Sequence, residues 1–146
     1  MSDEKISQAV PDTAVLTSLG FFTIPAHEAH RNLSAFHVVD VRTHEEYHGP
    51  LGNIPGSILK PVAELAHEMG NLPKDKPLLL VCRSSHRSSM AAQVLVSSGF
   101  PNVVVMEGGM SHWNTLGLPT SNRTGHGADR TGTRDALFSL LQRLAV

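Results

Sequence analysis

The sequence predicts an α/β fold, a central parallel sheet of about five strands with helices on both faces. Three observations predict it. Apolar runs at 37–41, 78–81 and 103–106 are short and continuous rather than alternating, as in strands buried on both faces. Segments with helical spacing of apolar residues lie between these runs, so strands and helices alternate along the chain. Finally, 146 residues at 40% hydrophobic and 17% charged content suffice for one core and are too apolar for a disordered chain.

Residues 1–20 lack periodicity and read as a lead-in to a domain spanning 21–120. Pro25 to His30 opens a short helix, with proline near its first turn. The run at 37–41 is β-branched and apolar apart from Asp40 near its end, hence a buried strand. Thr43 and Glu46 have the spacing of a capping box. Residues 49–56 hold three glycines and two prolines and form a loop, followed by at most a short strand at 57–59. Val62, Leu65, Ala66 and Met69 mark an amphipathic helix over 61–69. A turn at 74–77 leads into the strand at 78–81. After a loop at 82–88, residues 89–98 read as a helix closed by Gly99 at its C′ position. The strand at 103–106 passes through a Gly108-Gly109 turn into a short helix containing Trp113, placed in the core as the single tryptophan. Residues 121–133 are polar and Gly-rich, a linker. Leu137, Leu140, Leu141 and Leu144 give 134–146 the stripe of an amphipathic C-terminal helix, a candidate for homodimer contact or for docking on its own domain.

A net charge of -1 gives no electrostatic case for nucleic acid or an anionic membrane. No apolar stretch approaches the roughly 20 residues of a membrane span, and the acidic N-terminus has no apolar signal core. With one cysteine there is no internal disulfide, and thiol chemistry would need a reducing compartment, so a cytoplasmic location is expected. His27/His30 and His44/His48 have helical pair spacing, yet no further cluster completes the four ligands of a structural zinc site, so no metal or cofactor is expected.

The chemistry concentrates in Cys82-Arg83-Ser84-Ser85-His86-Arg87-Ser88. In an open α/β sheet, ligands bind beyond the carboxyl ends of the strands, where Cys82 lies. The amides of 83–88, entering a helix N-terminus, form a nest of donors for an anion. That positive end, with Arg83 and Arg87, favours the thiolate, a nucleophile suited to covalent catalysis on an anionic substrate. The plain alternative is a packing thiol, since free cysteine is among the most buried residue types. Asp40, an acid in an apolar strand, needs a partner such as Arg42 or a loop amide, and would hold the active loop. Arg42 with Glu45 or Glu46 reads as a local ion pair, and His86 contacts substrate, tunes the thiolate or faces solvent.

Four segments resemble the rhodanese family of sulfurtransferases in its single-domain form. Asp40-Val41-Arg42 with Glu45-Glu46-Tyr47 is similar to the family's D-V-R-x-x-x-E-[YF]. Residues 52–57, GNIPGS, are similar to G-H-I-P-G-A, with Asn53 at the histidine and two extra residues before the segment. Residues 82–88 resemble the active loop C-R-S-G-x-R-S, with Ser85 replacing the glycine; if that position needs positive φ, the serine costs on the order of 1 kcal/mol. Residues 105–113, VMEGGMSHW, resemble x-L-x-G-G-x-x-x-W.

The resemblance implies a thiosulfate sulfurtransferase-like enzyme. Cys82 would take sulfur from thiosulfate or a persulfide donor as a persulfide and pass it to cyanide, a thiol or a protein thiol acceptor. The amides of 83–88 would hold the persulfide, and Arg83 and Arg87 would attract the donor's sulfonate. The rival is a cysteine-dependent phosphatase or arsenate reductase with C-x5-R, but here Arg87 comes one residue too early and Val81, not histidine, precedes Cys82. A non-catalytic protein-binding module on the same fold is the reading outside enzymes, weakened by the presence of the cysteine.

Overall fold

The computed structural model describes residues 10–122. They form one mostly parallel, six-stranded sheet of order β1-β2-β6-β5-β3-β4. The strands are β1 (Val15–Leu16), β2 (Phe22–Pro25), β3 (His37–Asp40), β4 (Ile58–Leu59), β5 (Leu78–Val81) and β6 (Val103–Glu107). The helices are α1 (Ala26–Arg31), α2 (His44–Tyr47), α3 (Val62–Glu68), α4 (His86–Ser97) and α5 (Gly109–Thr115), with 3-10 turns at Leu33–Ala35 and Met69–Asn71. Among the described residues no helix is long and apolar enough to cross a membrane.

Five strands run parallel, as the continuous apolar runs require. The sixth, β1, pairs antiparallel with β2 at the sheet edge, inside the stretch read as a lead-in. Val15 and Leu16 are solvent-exposed, so no burial pattern betrays this strand. β2 was also absent from the sequence reading. Its four residues end at Pro25, which is the N-cap of α1, and so merge with the helix signal.

Alternate side chains of each strand feed two cores. Leu78 and Leu80 of β5, with Val39, Val41, Val103 and Val105, pack under α3 and α4 against Leu65, Ala91, Ala92 and Leu95. Leu79 and Val81, with Val38, Val104 and Met106, pack against Ala26 and Ala29 of α1 and Met110 and Trp113 of α5. Cys82 continues the first phase, which sends its side chain to the α4 face. Trp113 is fully buried and its Nε1 donates to the Pro119 carbonyl at 2.8 Å. Gly99 closes α4 as expected. At φ 93 it lets its amide reach the Val96 carbonyl and the Phe100 amide reach that of Leu95, a Schellman closure.

From β3 the chain moves outward to β4, whereas from β5 it moves the other way to β6. The connections after these neighbouring strands therefore diverge, opening a crevice at their carboxyl ends. Asp40 lies at one lip and Cys82 at the other. The greater part of the expected linker, 121–133, and the whole C-terminal helix, 134–146, lie outside the described residues.

Candidate active site

The cysteine loop runs from the end of β5 to the first turn of α4. Cys82 is free and 1% exposed. Its Sγ accepts the Ser85 amide at 3.0 Å and the Ser88 amide at 3.4 Å, and Ser88 Oγ lies 3.4 Å away. Both amides belong to the N-terminal turn of α4, where unpaired N–H groups and the helix dipole favour negative charge. The loop therefore directs backbone donors at the sulfur as its residue order suggested.

Two devices shape it. Ser85 adopts φ 113, the left-handed conformation anticipated for the glycine position, and serves as the N-cap of α4. For a residue with a Cβ this backbone costs about 1–2 kcal/mol. It turns the Ser85 N–H inward to sulfur and its carbonyl outward, where Ser88 Oγ at 3.0 Å and Ser89 Oγ at 2.8 Å donate to it. The second device comes from α5. The Met110 amide donates to the Cys82 carbonyl at 2.8 Å and the Ser111 amide to the Arg83 carbonyl at 2.9 Å. These bonds tie the Cys82 and Arg83 carbonyls to the first turn of α5 and so fix the start of the loop. They require backbone contact at Gly109, where any Cβ would strike the Cys82 carbonyl oxygen and lie 2.5 Å from the Arg83 carbonyl group.

Asp40 and Arg42 are both 1% exposed and form a fork-on-fork pair, with Nη2 to Oδ2 at 2.7 Å and Nε to Oδ1 at 2.9 Å. The Arg42 amide also donates to Asp40 Oδ1. Asp40 thus has the partner expected for it. Arg42, however, does not pair with the Glu45 or Glu46 carboxylate. Its remaining donors go to the backbone carbonyls of Gly52 at 2.7 Å and Glu46 at 3.2 Å, which pins α2 and the 49–56 loop to the end of β3. Asn53, at the histidine position of the second segment, joins this scaffold through Nδ2 to the Tyr47 carbonyl at 2.9 Å.

The Glu46 carboxylate is instead engaged elsewhere. It closes the capping box with Thr43, as the sequence predicts, and takes a bidentate pair from Arg87 across the crevice, 2.7 and 2.8 Å. The Arg87 hydrogen bonds hold the Glu46 carboxyl at about 2, well below its ordinary 4.5, and Glu46 raises Arg87 in return. Arg87, expected to meet the donor's sulfonate, thus has one edge of its guanidinium engaged by Glu46. Arg83, Ser84 and His86 are exposed on the loop, while Ser88 is fully buried beside the sulfur.

Sequence reasoning missed three contributors. Glu46 gives only local signals, as a cap and as a neighbour of Arg42, whereas its pairing with Arg87 spans 41 residues of chain. Gly109 reads from the sequence only as a turn residue, and Ser89 lies one residue past the loop motif.

The family described as Rhodanese-like domain matches residues 25–116. An HTH-type transcriptional regulator of Mycobacterium tuberculosis is 36% identical over 94 residues, covering 62% of this chain and 40% of that protein. The thiosulfate sulfurtransferase GlpE of Pseudoalteromonas translucida is 37% identical over 76 residues, 52% of this chain and 70% of that one. The crystal structure of a rhodanese-related protein from Thermoplasma volcanium superposes with a TM-score of 0.61 at 34% identity, over 66% of this chain and 94% of that one.

Proposed function

The chain belongs to the rhodanese-like domain family, and on that premise we propose that it moves a sulfane sulfur from thiosulfate or a persulfide donor to a thiophilic acceptor through a persulfide on Cys82. The observation that carries this reading is the pair of α4 amides on Cys82 Sγ. Donors fixed on a sulfur anion lower the energy of a thiolate and of a persulfide alike, without reorganisation during the reaction.

In the first step the Cys82 thiolate attacks the outer sulfur of thiosulfate. A new S–S bond forms, the old one breaks, and sulfite leaves with the bonding electron pair. In the second step a nucleophile, cyanide or a thiolate, attacks the outer sulfur and the pair returns to Cys82. Sulfite is a good leaving group, so no general acid is required. Arg83, exposed at the loop, is the cation available to a sulfonate. Arg87 acts differently: through Glu46 it ties the first turn of α4 to α2, which Arg42 and Asp40 anchor. It is a positioning residue.

The test is thiocyanate production from thiosulfate and cyanide, compared with Cys82→Ser. Transfer by the wild type and none by the variant is the expected result; equal rates would refute the mechanism.

A further inference from the structure

The Ser85 carbonyl collects three donors: the Ser89 amide at 3.0 Å, Ser89 Oγ at 2.8 Å and Ser88 Oγ at 3.0 Å. A carbonyl oxygen has two lone pairs, so one donor is surplus. Ser88 Oγ is the donor with another acceptor in reach, because it also lies 3.4 Å from Cys82 Sγ. A hydroxyl has one proton to give. While Cys82 is a thiol, its own S–H can point to Ser88 Oγ and the Ser88 proton rests on the Ser85 carbonyl. Once the sulfur is an anion it has no proton, and it becomes the stronger acceptor of the two.

We propose that Ser89 is a positioning residue that makes this exchange of the Ser88 hydrogen bond cheap. Its amide and hydroxyl keep the Ser85 carbonyl satisfied when the Ser88 hydroxyl turns onto the sulfur. They also hold the left-handed Ser85 peptide with its N–H aimed at Sγ. The exchange is a rotation about the Ser88 Cβ–Oγ bond, with no proton passing between heavy atoms. The role rests on the sulfur-transfer reading for its purpose, since the same donor would serve the thiolate before attack and after sulfur release.

The alkylation rate of Cys82 by iodoacetamide, followed against pH, reads this without any sulfur donor. Ser89→Ala is expected to lower the neutral-pH rate about threefold and to move the rising limb to higher pH. Ser88→Ala should lower it about tenfold, the scale of a charge-assisted hydrogen bond. With Ser88→Ala already present, Ser89→Ala should add less than about twofold, because its effect runs partly through Ser88. Ser89→Thr should restore the wild-type profile, since a helical threonine can direct its hydroxyl to the i−4 carbonyl. The charged groups near the loop stay unchanged in all variants: Arg83, His86 and Arg87, Glu46 on α2, Asp40 and Arg42 after β3, and His112 on α5. A Ser89→Ala profile overlaying the wild type would overturn the proposal. So would an undiminished Ser89→Ala effect in the Ser88→Ala background, or a folded Ser89→Thr that behaves as alanine. A wild type that alkylates normally yet takes no sulfur from any donor would overturn the functional reading instead, and the alkylation series would still decide the role of Ser89.

Discussion

Gly109→Ala is expected to be the most damaging small substitution near the site. The residue sits at φ 56, where a side chain costs about 1 kcal/mol. Its new methyl would strike the Cys82 carbonyl oxygen and the Arg83 carbonyl group, which are backbone atoms that cannot rotate away. Ordinary contact needs about 3.5 Å, so α5 must withdraw by on the order of 1 Å. That withdrawal breaks the Met110 and Ser111 amide bonds to the loop, each worth about 1 kcal/mol. The loss should reach about 3–4 kcal/mol, or roughly 10–20 °C in Tm for a domain of this size. Gly99→Ala is the control, because φ is 93 there and nothing lies within 4 Å of the added carbon. It should cost only the backbone term, about 1 kcal/mol. Sulfur uptake from thiosulfate should fall about a hundredfold in Gly109→Ala, the scale of an ångström's misplacement of catalytic groups, and stay near normal in Gly99→Ala. Thermal unfolding and a timed persulfide assay read both quantities. Equal destabilisation by the two substitutions, with sulfur uptake intact in Gly109→Ala, would refute the role given to α5.

Two further predictions follow from the loop's surroundings. Glu46 is held at about 2 in the folded chain against an ordinary 4.5, so its contribution is present above pH 4.5 and is lost as pH falls from there towards 2. The pair is about one-third exposed, which limits that contribution to about 1 kcal/mol. Glu46→Gln, which keeps the cap, should lose this amount at pH 7 and match the wild type near pH 2; a constant offset across urea melts at both ends would contradict the ion-pair account. Ser85→Gly should relieve the left-handed strain and raise stability by about 0.5–1 kcal/mol with sulfur transfer retained. A lower unfolding midpoint in that variant would show that the serine side chain stabilises the loop.

The sheet was legible where strands were buried on both faces: β5 and the first four residues of β6 are runs of Val, Leu and Met, and β3 centres on Val38-Val39. The edge was not, because Val15 and Leu16 pair through their backbones while their side chains face solvent. At the site, local signals held: the Thr43–Glu46 capping box, the Asp40–Arg42 pair two residues apart, and the position of positive φ at Ser85. The long-range choice did not. Arg42 has Asp40 two residues away and takes it, whereas no acid lies near Arg87 along the chain and only the fold brings Glu46 to it. Burial explains the division: Arg42 is fully enclosed and needs the buried carboxylate plus two carbonyls, whereas Arg87 sits about one-third exposed across the crevice. Likewise the glycine pair at 108–109 could be read as a turn, but its need for backbone contact with Cys82 exists only in three dimensions.

The central claim is a persulfide on Cys82, and intact mass spectrometry of the reduced protein after thiosulfate treatment tests it most directly. A gain of one sulfur atom is predicted, removed by cyanide with release of thiocyanate and absent from Cys82→Ser. The same gain in the serine variant, or none in the wild type with either thiosulfate or a persulfide donor, would contradict the account.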